Sequence, residues 1–129
     1  MLNKQNIFLI AITYTIFVYV ISLMPVQNSL NVSINHLDKL VHVSIYFIFT
    51  LVWFAYSYGI LFVKPIHKSI VMVSLYAFFT GVIIEILQGT ITKERSADVY
   101  DIFANSLGIV VAIFLLYLIK KNNKINSLK

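Results

Sequence analysis

Asp98-Val-Tyr-Asp101-Ile-Phe-Ala-Asn105-Ser-Leu-Gly108-Ile-Val-Val-Ala112-Ile-Phe-Leu-Leu-Tyr-Leu-Ile119 is the stretch that decides the fold. After Asp101 it carries no charged residue until Lys120. A helix needs about 20 such residues to cross about 30 Å of hydrocarbon. Asp98, Asp101, Asn105, Gly108 and Ala112 recur every three or four positions, which places them on one helical face. The stretch reads as a membrane helix with a small and polar seam.

Three more apolar runs lie upstream, so the spans are expected at about 7–24, 40–62, 70–88 and 98–119. Strands are excluded because the runs are too long for barrel strands, and an isolated span in lipid must satisfy its own backbone hydrogen bonds. The expected class is all-α, an integral membrane four-helix bundle, with residues 1–129 forming a single domain. Composition agrees: 60% of the 129 residues are hydrophobic and 12% are charged, too few charges to cover a soluble core of this size. Without cysteine, disulfides, thiolate metal sites and cysteine nucleophiles are excluded. Lys4 ahead of an apolar run also fits a secretory signal peptide. No small-x-small cleavage site precedes Pro25, so a retained helix is expected.

Basic flanks stay cytoplasmic. Four spans put Lys4, Lys64, Lys68, Lys120, Lys121, Lys124 and Lys129 on one side, against Lys39, Lys93 and Arg95 on the other. Both termini are therefore expected in the cytoplasm. All five acids (Asp38, Glu85, Glu94, Asp98 and Asp101) then fall at the outer ends or in the outer loops. His36 falls in the first outer loop, His42 one turn into the second helix, and His67 among the cytoplasmic charges.

Each helix has a seam at helical spacing. Helix two carries Asp38, His42 and Tyr46, continuing to Phe49 and Trp53. Helix three carries Ser74, Ala77, Gly81, Glu85 and Gln88, and helix one Ala11, Thr15 and Ser22. An ionised side chain at mid-bilayer costs about 2.5–3.5 kcal/mol, and less toward the interface. Glu85 and Asp101 should therefore turn inward, where His42, Arg95 or Lys39 can pair with them. Gly81 and Gly108 would let the helices approach closely. The expectation is one polar pocket open to the outside.

Ser22-Leu-Met-Pro25, Asp38-Lys39-x-x-His42-x-x-x-Tyr46, Gly81-x-x-x-Glu85-x-x-Gln88 and Arg95-x-x-Asp98-x-x-Asp101-x-x-x-Asn105-x-x-Gly108 together resemble the VanZ-like family, in order across about two thirds of the chain. Each piece alone is a weak signal, and the ordered set is specific. The resemblance implies a multi-pass protein of the bacterial plasma membrane and cell envelope. It also implies a link to susceptibility to the glycopeptide teicoplanin, for which the family is named.

Read as chemistry, Asp38, His42, Glu85, Asp98 and Asp101 are the candidate catalytic set, with His42 as proton carrier. Lys39, Tyr46, Gln88, Arg95 and Asn105 are candidate substrate-binding residues; a guanidinium suits a phosphate or carboxylate. Glu85, Asp98 and Asp101 are oxygen donors that could hold Mg²⁺ or Ca²⁺, although acids in a cluster more often pair with nearby cations. No Gly-rich phosphate loop, GxSxG elbow or HExxH motif is present. The expected ligand is an anionic lipid, either a phospholipid or a polyprenyl-phosphate-linked envelope precursor, which is bound or is acted on by an acid–base hydrolase or transferase. The alternatives are a noncatalytic scaffold that binds a glycopeptide or a partner protein, and a network of ion pairs that only fixes helix packing. A proton or ion pathway would need polar residues through the cytoplasmic half, where few occur. Nothing points to nucleic acid.

Overall fold

A computed structural model describes residues 4–24, 35–61, 65–91 and 97–126. Four helices follow one another: α1 (Lys4–Leu23), α2 (Asn35–Phe54), α3 (Ile66–Ile91) and α4 (Val99–Asn126). A π-helical turn, Ala55–Ile60, continues α2. All four helices are long and apolar enough to cross a membrane, and no strand occurs among the described residues. Large apolar side chains such as Phe79, Phe103, Val110 and Phe114 are exposed along the helices. A soluble monomer rarely leaves so much apolar surface open, whereas lipid solvates it.

The buried core is narrow. Val18, Tyr46, Phe49, Ala77, Ile84 and Ile109 form its centre, with Tyr14, Tyr19, Ile45, Trp53 and Ile113 packed around it. In α3 the seam expected from spacing is buried at Ala77, Gly81, Glu85 and Gln88, while Ser69 and Val73 rather than Ser74 extend it toward the helix start. The aromatics of α2 are packing residues. Phe49 stacks on Tyr76 with centroids 5.6 Å apart, and Trp53 meets Tyr76 edge-on at 4.9 Å. Since the hydrophobic effect does not drive helices together in lipid, such packing and interhelical hydrogen bonds must do so. Tyr14 Oη donates to Ile45 O at 3.1 Å, and Trp53 Nε1 donates to Thr15 Oγ1 at 3.0 Å, both joining α1 to α2.

α2 and α4 form the most extensive helix pair, and Gly108 is the reason they come so close. A Cβ at Gly108 would overlap the Val43 carbonyl oxygen and lie 3.0 Å from Phe47 N. The α4 seam of Ala104, Asn105, Gly108 and Ala112 is buried against α2 as a result.

Three helix boundaries depart most instructively from the hydropathy reading. α2 begins at Asn35 rather than near 40, because Asn35, Asp38 and Lys39 can form a helical turn at an interface where hydrocarbon does not penalise them. α3 begins right after Pro65 and includes His67, Lys68 and Ser69; proline is tolerated at a helix start, where its missing N–H has no partner to lose. α4 runs past Ile119 to Asn126, since Lys120 and Lys121 are good helix formers once outside the hydrocarbon.

Candidate functional site

Two helix starts meet at one end of the bundle. Asp38 stands in the first turn of α2 and Asp101 in the first turn of α4, where the positive end of each helix dipole favours a carboxylate. Asp98 is the N-cap of α4: its Oδ1 accepts from Tyr100 N at 2.9 Å, and its carbonyl accepts from Asp101 N at 3.0 Å. That bond leaves fewer orphan N–H groups at the helix start. Glu85 reaches across from α3, its Oε2 accepting from Asp98 N at 3.3 Å. The close contact of Gly89 with Ala97, 3.0 Å from the position a glycine Cβ would take, lets the chain return over the end of α3.

Lys39 is the hub of the cluster. Its Nζ donates to Asp98 Oδ2 at 2.6 Å and to Asp101 Oδ1, and lies 3.8 Å from Asp38 Oδ2. The Lys39 ammonium, aided by the Tyr100 N–H, holds the Asp98 carboxyl below the usual carboxylate range. Asp98 thus serves both as helix cap and as half of an ion pair, and the two duties can be separated. Asp98→Ala is expected to cost about 1–2 kcal/mol, of which the cap supplies 0.5–2 in typical proteins. Asp98→Asn keeps a good capping side chain and should recover most of that loss. Thermal unfolding in detergent followed by circular dichroism measures both; equal loss in the two variants would refute the capping role.

His42 lies one turn further into α2 and is 7% exposed. Its Nδ1 is 3.0 Å from Asn105 Oδ1 on α4. With that oxygen as acceptor, Nδ1 carries a proton and donates it to Asn105. Nε2 faces Asp101 Oδ2 at 3.6 Å and Asp38 Oδ1 at 4.0 Å. Asp38 and Asp101 therefore each turn one oxygen to Lys39 and the other to His42.

A second layer lies deeper in the bundle. Tyr46 Oη, Glu85 Oε1 and Asn105 Nδ2 are buried with no hydrogen-bond partner among the described residues. Asn105 Nδ2 and Tyr46 Cζ lie 3.2 and 3.3 Å from where a Cβ on Gly81 would sit, so the absence of that Cβ brings them together. Glu85 stands one turn along the same face of α3 and within electrostatic reach of Asp101, His42 and Asp98. A buried polar group without a partner is costly, and three beside one another mark this layer as unusual.

The sequence-derived candidates thus divide. Asp38, Lys39, His42, Glu85, Asp98, Asp101 and Asn105 come together, with Tyr46 directly beneath. Gln88, three residues beyond Glu85 on α3, has its Nε2 donating to Ser22 O at 2.7 Å, which ties α3 to α1. Arg95 and His36 side chains lie outside the described residues. Of the three proposed metal-binding carboxylates, Asp98 has both oxygens engaged by Lys39 and Tyr100 N; the group whose ligand atoms converge is instead Asp38, His42 and Asp101, all within 4.8 Å of one another. Sequence reasoning also missed two features. Asn105 orients His42, which spacing on separate helices cannot reveal. Asp98 caps α4, which an acid just ahead of an apolar run does signal.

Four apolar spans with a charged cluster at one end define a multi-pass membrane bundle. The VanZ/LLP1 family model matches residues 3–120, and the chain belongs to that family. No curated protein and no solved structure matches it.

Proposed function

We propose that this protein engages the phosphate-bearing head group of an anionic membrane lipid, either a phospholipid or a polyprenyl-phosphate-linked envelope precursor, and hydrolyses it by acid–base chemistry. The observation that carries the reading is the posture of His42. Asn105 fixes its Nδ1, and its Nε2 faces the carboxylate cluster, which is the arrangement a general base needs. In the step proposed, water adds to phosphorus while Nε2 takes its proton. The ester P–O bond then breaks, and the leaving oxygen receives the proton back from the imidazolium, yielding a phosphate and an alcohol.

Placement supports a lipid ligand. In this reading the cluster lies at the outer face of the bacterial plasma membrane and both termini in the cytoplasm, which the excess of basic residues toward the opposite end supports. An apolar groove of about 350 Å³ between α1 and α2, lined by Tyr14, Phe17, Leu40, Val41, Ser44, Ile45 and Ile48, offers room for a hydrocarbon chain. Lys39 would meet the phosphate.

Purified His42→Ala should stay folded in detergent and lose turnover of phosphate-ester lipids by at least about a hundredfold, the lower bound for a general base. Lipid analysis of a deletion strain complemented with wild type or His42→Ala names the lipid. Unchanged turnover in the variant would sink the reading. Teicoplanin susceptibility of the same strains tests the link implied by the family resemblance.

A second reading is favoured by the bond pattern of Lys39, which joins α2 to α4 through Asp98 and Asp101. Here the cluster is a noncatalytic scaffold that binds a glycopeptide or partner protein. Deletion would then leave every lipid species unchanged, and a pulldown would recover a stable partner.

A further inference from the structure

The geometry points to a site for one divalent transition-metal cation, of the Mn²⁺ or Zn²⁺ kind, held by Asp38, His42 and Asp101. The inference deepens the lipid reading by naming what would join a phosphate to an acidic pocket; with the ion bound, Nε2 serves as a ligand, and ionisation of a metal-held water would take the place of its role as base. Its test, however, needs no lipid.

Three observations converge. First, the ligand atoms lie close together, all within 4.8 Å of one another. Bonds of about 2.0–2.2 Å to nitrogen and oxygen allow donors up to roughly 4.4 Å apart around one ion. His42 Nε2 lies 3.6 Å from Asp101 Oδ2 and 4.0 Å from Asp38 Oδ1. These separations are too long for direct hydrogen bonds.

Second, the imidazole is prepared as a ligand. A metal-binding histidine almost always gives its other ring N–H to an acceptor that fixes tautomer and ring plane. Asn105 Oδ1 is that acceptor, 3.0 Å from Nδ1.

Third, the surroundings call for positive charge. Among the described residues, the carboxylates of Asp38, Asp98 and Asp101 face the single ammonium of Lys39, and Glu85 Oε2 meets the Asp98 N–H beside them. Glu85, 2% exposed, keeps Oε1 without a partner beside this cluster. The helix dipoles explain why Asp38 and Asp101 stand where they do. They do not explain a buried carboxylate from α3 or the posture of His42.

One imidazole and two carboxylates suit Mn²⁺ or Zn²⁺ better than Mg²⁺, which prefers oxygen alone. Three protein ligands leave coordination positions open, as reactive metal sites do. A lipid phosphate could occupy them, which resolves how a carboxylate-rich end would tolerate an anion.

The experiment uses the full chain in detergent, stripped with chelator and titrated with Mn²⁺, Zn²⁺ or Mg²⁺. Saturable binding of one equivalent of Mn²⁺ or Zn²⁺ is expected, with Mg²⁺ at least tenfold weaker. His42→Ala and Asp101→Asn should abolish the stoichiometric site. Asn105→Ala, which removes only the orienting acceptor, should weaken it about 10–100-fold. Asp98→Asn should retain it. Should the variants misfold, pulsed electron paramagnetic resonance on Mn²⁺-loaded wild type with ¹⁵N-labelled histidine decides alone, through coupling to one imidazole nitrogen. No saturable binding, binding undiminished in His42→Ala, or a loaded wild type without histidine coupling would each overturn the inference. A chain that binds the ion yet turns over no phosphate lipid keeps this site and removes the lipid reading instead.

Discussion

Gly108→Ala is expected to abolish the folded bundle, the largest effect of any single methyl group in this protein. The added Cβ would collide with the Val43 carbonyl oxygen and crowd Phe47 N. Both are backbone atoms inside a helix and cannot swing aside. α2 must move away from α4, and this is the most extensive helix pair in the molecule. Overpacking costs about 1–3 kcal/mol where neighbours can adjust, and more where they cannot. Here about 3 kcal/mol or more is expected, because the Lys39–Asp101 and His42–Asn105 contacts span the same interface. Gly59→Ala is the control, since nothing lies within 4 Å of a Cβ there; it should be neutral or stabilise slightly, as alanine outranks glycine in helices. Gly81→Ala should fall between, because its neighbours at 3.2–3.3 Å are the side chains of Asn105 and Tyr46. Thermal unfolding and gel filtration in detergent rank the three. A Gly108→Ala protein that melts with the wild type would show that α2 and α4 are not packed this way.

The contrast between these glycines shows what a sequence can and cannot disclose here. The spans were legible because hydrocarbon penalises charge so heavily that each run from about 7–24 to 98–119 has to be apolar. The inward seams were legible for the same reason: Asp101, Asn105 and Gly108 cannot recur at helical spacing on a lipid-facing side. What faces each seam depends on how two helices are rotated and shifted against each other, and no local pattern encodes that. Gly108 was readable as a place of close approach, but its partner, Val43, was not. Lys39 was readable as a counter-ion for Asp101, while its second bond to Asp98 depends on where α4 starts. The early start of α2 at Asn35 escaped because hydropathy measures hydrocarbon depth, and a polar first turn lies above it. The π-helical turn left no local signal either. It lets Ser57 meet Ser69, Oγ to Oγ at 2.6 Å, a contact that exists only once α3 has folded back along α2.

Lys39→Met should destabilise the protein by about 2 kcal/mol at neutral pH, and removing a carboxylate as well should restore part of the loss. Taking one partner from a fully buried ion pair costs about 3–5 kcal/mol, because the remaining charge stays buried. Lys39 is 31% and Asp98 36% exposed, whereas Asp101 is only 10% exposed. Water therefore screens part of the repulsion left behind, and the lower figure is appropriate. Methionine keeps the length and apolar stem of lysine, so the loss measures charge rather than volume. In Lys39→Met, Asp38, Asp98 and Asp101 face one another with no ammonium between them. Adding Asp101→Asn removes the most buried of the three charges, so the double variant should be more stable than Lys39→Met alone. That is non-additivity of the kind expected for residues in one network. The same variant bears on the cation site. A ligand that binds only the folded state stabilises it in proportion to RT ln(1 + [L]/Kd), and Lys39 competes with any ion for Asp38 and Asp101. Micromolar Mn²⁺ or Zn²⁺ should therefore raise the unfolding temperature of Lys39→Met more than that of wild type, and should not raise that of Lys39→Met/Asp101→Asn. Lys39→Met melting at the wild-type temperature, or additive behaviour in the double variant, would show that the ammonium does not hold α2 to α4.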